Sequence, residues 1–155
     1  MPSKWMRALA VVVCLTLVSG VGAAVKFDKI EYLPPKVEGE KQNANPIKGQ
    51  ISFDKDKKVV VFQDEKSQAV VTIPYDKIKS ILYEKSSKPR YAEAILLSPF
   101  FLFTKSKKHF LTIQYTDEAG AGKFSVFHMD KGNARDIVNT AEAETGQKIE
   151  RSEER

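Results

Sequence analysis

Cysteine is almost absent: Cys14 is the only one in 155 residues, and it sits in the middle of an apolar run near the N-terminus. Neither a disulfide framework nor a cysteine metal site is open to the rest of the chain. A lipid-bearing cysteine would follow small residues such as Ala, Ser or Gly at the end of such a run, whereas Cys14 follows Val11, Val12 and Val13. The sequence also lacks a Gly-x-Ser-x-Gly elbow and a glycine-rich loop able to cradle phosphate. Its carboxylates are scattered over turns and tails, which leaves no pair poised for acid–base work. The aromatics alternate as strand core instead of interleaving with basic residues, so no stacking platform for nucleic acid is expected. No catalytic constellation and no cofactor follow from the sequence.

With 42% hydrophobic and 29% charged residues, the composition is that of a globular chain with a packed core. The length suits one domain. The first residues read differently. Lys4 and Arg7 form a positive start, Ala8 to Leu17 is apolar apart from Thr16, and Ser19 to Ala24 is rich in small residues. This pattern predicts a signal peptide over residues 1–23, cleaved after Ala23 or one residue later, and export to the periplasm or beyond. An uncleaved anchor is the competing reading. Loss of Lys4 and Arg7 lowers the formal net charge from +5 to +3, too mild a balance to argue for nucleic acid.

Residues 24–45 carry Pro34, Pro35, Gly39, Asn43 and Asn45 among alternating charges and read as a lead-in, although Phe27, Ile30, Tyr32 and Leu33 could add a short strand. After Pro46 the period becomes two. Ile51 and Phe53, then Lys58 to Gln63, Gln68 to Ile73, Ile78 to Tyr83, His109 to Tyr115 and Lys123 to Met129 predict strands, the last two joined by a hairpin over Asp117 to Gly122. Ala134, Ile137, Val138 and Ala141 then fall at helical spacing, with Asp130 or Asn133 to cap the start and Gly146 to end it. The fold class expected is mainly β (α+β): an antiparallel barrel or curved sheet of about six to seven strands over residues 46–149, closed by one C-terminal amphipathic helix. Residues 150–155 are expected as a disordered tail.

Short antiparallel strands followed by one helix, with Ile73-Pro74-Tyr75-Asp76-Lys77-Ile78-Lys79-Ser80-Ile81 at a strand junction, resemble the pleckstrin-homology-like superfold, especially its bacterial and GRAM-type members. The stretches Lys107 to Ile113 and Thr145-Gly146 are also similar to exported bacterial proteins of unknown function. The resemblance implies the architecture alone, because this superfold hosts lipid, peptide and protein binding on one framework. Lipid-binding members place basic residues between the first two strands. The corresponding loop is read here as Asp54 to Lys58, where two aspartates dilute the lysines, which argues against phosphoinositide recognition.

The most unusual stretch is Tyr91 to Phe103, in which only Glu93 and Ser98 are polar. It is too short to span a bilayer. Lys77 to Lys108 holds eight Lys or Arg against Glu84 and Glu93. An apolar run with basic flanks fits an anionic membrane surface or an apolar groove on an envelope protein. The docking candidates are Phe100, Phe101, Phe103, Lys105, Lys107, Lys108, Lys88 and Arg90. The other reading makes the run core and the lysines a solvated rim. Pro99 argues that one regular element cannot bury all of it. The function expected is therefore a non-catalytic binding or scaffolding module of the cell envelope. The alternative is a small metal-binding protein or enzyme using His109 and His128, which the hairpin would make near cross-strand neighbours, although no further ligand is spaced to complete a zinc set.

Overall fold

The computed structural model describes residues 23–36, 45–95 and 105–153. The expected signal peptide falls almost wholly outside them. Eight strands and one helix follow in order: β1 (Val25–Leu33), β2 (Ile47–Asp54), β3 (Val59–Asp64), β4 (Ala69–Pro74), β5 (Ile78–Ser86), β6 (Lys108–Thr116), β7 (Gly122–Met129), α1 (Lys131–Thr145) and β8 (Ile149–Glu153).

The turns are built by side chains with short reach. Asp54 Oδ1 accepts the amides of Asp56 and Lys57 between β2 and β3, and Asp64 Oδ1 accepts those of Lys66 and Gln68 between β3 and β4. Asp117 does the same for Ala121 in the β6–β7 hairpin, with Gly120 at φ 81°. Asp130 caps α1 by accepting from the Gly132 amide at 2.8 Å. Gly146 ends the helix in the left-handed region, at φ 69°, its N–H donating to Glu142 O.

All eight strands lie in one sheet in the order β4-β3-β2-β1-β7-β6-β5-β8. Every neighbouring pair is antiparallel except β5 with β8. The sheet does not close into a barrel: β4 and β8 are its two edges. It also has eight strands instead of six or seven, and the surplus comes from segments read as lead-in and tail. β1 is a central strand, paired to both β2 and β7. Its apolar pattern is broken because the register against β2 shifts between Phe27 and Ile30, and Lys29 adopts φ 58°. The bulge lets Phe27 and Ile30, three apart, both reach the same core. β8 needs only backbone pairing along β5 and brings one buried apolar residue, Ile149. Because β1 precedes it, the Asp54–Lys58 turn joins the second and third strands, and the argument against phosphoinositide recognition drawn from it loses its footing.

Side chains alternate between two faces. On one, α1 buries Ala134, Ile137, Val138 and Ala141 in a core with Ile30, Tyr32, Phe62, Leu111 and Phe127. Tyr32, Phe62 and Phe127 meet pairwise at ring separations of 5.5–5.7 Å, each such pair contributing about 0.5–1.5 kcal/mol beyond burial. The opposite face carries a smaller core of Leu33, Ile95, Phe110 and Val126.

Candidate functional site

The small outer core is where the apolar run begins. After β5 the chain leaves the sheet in an irregular loop. Glu84, buried on the outer face, accepts the Arg90 amide with both carboxylate oxygens, at 3.1 and 3.2 Å. Ser86 Oγ donates to Lys88 O at 2.7 Å. A single 3-10 turn over Ala92–Ala94 follows, Lys36 N–H donates to Ala94 O, and Ile95 bridges to Pro35. Tyr91 stacks on Phe124 at 5.1 Å, and its hydroxyl accepts from Gln114, whose carbonyl is in turn held by Ser80. Tyr91 and Ile95, the two large side chains at the start of the run, are therefore packed against the sheet. Phe100, Phe101 and Phe103 lie outside the described residues.

The cations divide into two groups at one end of β5 and β6, where Ser86 pairs with Lys108. Lys88 and Arg90 lie just beyond β5, exposed, and Arg90 forms a solvated ion pair with Glu150 at 3.4 Å. Lys105 and Lys107, also exposed, lead into β6. Lys108 is half-buried, and burial holds its ammonium below the usual lysine range.

The histidines do not form a pair. His109 stands opposite Met129, and His128 opposite Phe110. The register is one residue away from joining them, and one residue of offset puts two side chains on opposite faces of a sheet. His109 is on the helix face, stacked on Tyr83 with its Nδ1 2.7 Å from Tyr83 Oη. Burial first, then the nearby Lys85, hold its imidazole below the ordinary value. His128 is on the outer face, its Nδ1 2.9 Å from Glu31 Oε2. Among the described residues no group of three or more His, Cys, Asp or Glu could hold a metal ion, and no helix is long and apolar enough to cross a membrane.

Sequence reasoning missed a cleft of about 660 Å³ at the β1 bulge, lined by Asp28, Lys29, Glu31, Lys48, Gln50 and Asp64 among others. The bulge is tied to the start of α1 by Asn133, whose side-chain amide donates to Asp28 O at 2.9 Å. Gly49 is required on its floor, since a Cβ there would lie 1.9 Å from Gln63 O. The lining mixes both signs of charge, so it favours no one ligand class. Only the break in the alternation of β1 could have signalled it.

No family model and no curated protein matches the chain. Among solved structures it is similar in fold to one described as the structure of the Spt16D Pob3N heterodimer, with a TM-score of 0.46 and 8% identity. The match covers 86% of this chain and 56% of that one, so this chain spans little more than half of its length.

Proposed function

We propose that the protein is a non-catalytic binding or scaffolding module of the cell envelope, exported by its N-terminal signal, on a pleckstrin-homology-like framework. It docks through the apolar run and the basic rim beside it onto an anionic membrane surface or an envelope protein. The observation that carries this reading is the path of the loop: it leaves β5 through the exposed Lys88 and Arg90, packs Tyr91 and Ile95 on the outer face, and re-enters the sheet at β6 through the exposed Lys105 and Lys107. Between Ile95 and Lys105 the sequence is Leu-Leu-Ser-Pro-Phe-Phe-Leu-Phe-Thr, apolar at all but two positions. Apolar insertion and cationic attraction are then both supplied by one connecting segment.

The test is flotation with vesicles of anionic and of neutral lipid. Replacing Phe100 and Phe103 by Ser should weaken binding well over tenfold, since each buried ring is worth about 1.5–3 kcal/mol. Replacing Lys105 and Lys107 by Gln should cost about 1 kcal/mol each and reduce the salt dependence. A protein groove would tolerate the glutamines better than the serines. A serine variant that unfolds would make those rings core and remove the proposal.

A further inference from the structure

Three features of the outer face work against the position in which the loop between β5 and Ile95 lies. Glu84 is 6% exposed, yet among the described residues its carboxylate meets only the Arg90 amide and forms no ion pair. Thr112 is fully buried and its hydroxyl has no hydrogen-bond partner. It stands opposite Leu82 and Val126, two places along β6 from Phe110 and from Gln114. Ile95 packs beside Phe110 and Val126, and Tyr91 accepts from Gln114, so the two anchored side chains of the loop sit on either side of Thr112. Arg90, an exposed cation of the rim, has its guanidinium turned to Glu150 of β8 at 3.4 Å. A buried charge with no counter-charge and a buried hydroxyl with no partner both favour any arrangement in which water reaches them. Apart from the Arg90 amide, what holds the loop down is concentrated toward its far end: the Ile95–Pro35 bridge, the Lys36 N–H on Ala94 O and the Tyr91–Phe124 stack.

We propose, resting on the docking reading above, that residues 87–95 form a strap that lifts from the outer face as the protein settles on an anionic membrane. Lifting breaks the Arg90–Glu150 pair and turns that guanidinium to lipid phosphate. It carries Tyr91 and Ile95 from the sheet into the interface, where apolar side chains are buried again. Glu84 and Thr112 then meet the water of the headgroup layer. None of these contacts is open to the membrane while the strap lies flat, so the membrane binds the lifted form better, which is the condition for a ligand to shift an equilibrium. A neutral membrane offers Arg90 no exchange for Glu150 and leaves the strap down.

The chain from Ala24 onward contains no cysteine, so an introduced pair reports on the strap alone. Pro35 and Ile95 are bridged antiparallel, a spacing a disulfide spans. In Pro35→Cys with Ile95→Cys, the oxidised form has its strap stapled shut and the reduced form does not. Flotation with phosphatidylglycerol vesicles should be about tenfold weaker for the oxidised form than for the reduced form of the same protein. Thr112→Val keeps the shape and removes the unpaired hydroxyl. The Lys36 amide should then exchange more slowly in the free protein and flotation should weaken about threefold, a loss of docking from a gain of local stability. Glu150→Gln should strengthen flotation more than Glu153→Gln, which changes the charge equally on the same strand. A wild-type chain that does not float removes the docking reading and the strap with it. If the wild-type chain floats, the strap alone is removed by equal binding of the oxidised and reduced forms, by Thr112→Val binding as well as wild type, or by two glutamine variants that bind alike.

Discussion

On the helix side of the sheet, Tyr32, Phe62 and Phe127 share one core with Ile137 and Val138 from a fifteen-residue helix. On the outer side, Leu33, Phe110 and Val126 are covered by Ile95 and flanked by Tyr91, both from an irregular loop held by a buried carboxylate and a few backbone bonds. A helix offers a repeating stripe, so the loss of one side chain leaves its neighbours anchored. The described part of this loop buries only Pro89 and Ile95, which gives little such redundancy and lets it open locally at lower cost. Among the described residues the outer face is thus the more easily uncovered side, and the loop that covers it also carries Lys88 and Arg90.

Four measurements break or sharpen this contrast. The largest effect should come from Phe127→Ala, about 4 kcal/mol off the urea unfolding free energy, because the ring is fully buried among two other aromatics. Ile137→Ala should cost about 3 kcal/mol and lower the midpoint of the same cooperative transition. Ile95→Ala should cost about 2 kcal/mol, with the loop relaxing into the space. In that variant the Lys36 amide, bonded to Ala94 O, should exchange rapidly while amides of β6 and β7 keep their protection. Equal losses from Ile95→Ala and Ile137→Ala would erase the distinction between the faces.

The smallest effect is electrostatic. His109, on the helix face, has its pKa lowered chiefly by burial. Its folded value lies below its unfolded one, so the unfolded chain binds the proton more readily. Stability from this residue is therefore present above about pH 6.5 and is lost as pH falls from there through the folded value. His109→Gln should flatten that part of the stability–pH profile. A profile unchanged by the substitution would place the acid sensitivity elsewhere.

The same contrast governs what was legible in the sequence. β2 to β7 follow β-branched or alternating runs, and α1 follows the spacing of Ala134, Ile137, Val138 and Ala141, because those elements bury one face against a continuous core. The outer core was hidden, since Leu33, Ile95, Phe110 and Val126 come from four separate segments with no shared period. β1 was legible only as a possible short strand within a lead-in, because the bulge at Asp28 and Lys29 shifts its apolar residues out of step. β8 was hidden because an edge strand with one buried residue leaves almost no side-chain pattern. The histidines were misjudged by a single position of register, the smallest error a hairpin allows and one that exchanges the faces.

The bond between β1 and β7 has a consequence for how the chain reaches its fold. The other antiparallel neighbours are consecutive in sequence, but Ile30 pairs with Met129, about 100 residues later. β1 to β4 therefore form one meander that closes early. β5 to β7 form a second meander, and the seam between β1 and β7 is the long-range antiparallel pairing that joins the two. Loop closure over that span is slow compared with hairpin formation. Until the seam forms, β1 is a third edge of unpaired backbone groups, with Lys26, Asp28, Lys29 and Glu31 along it.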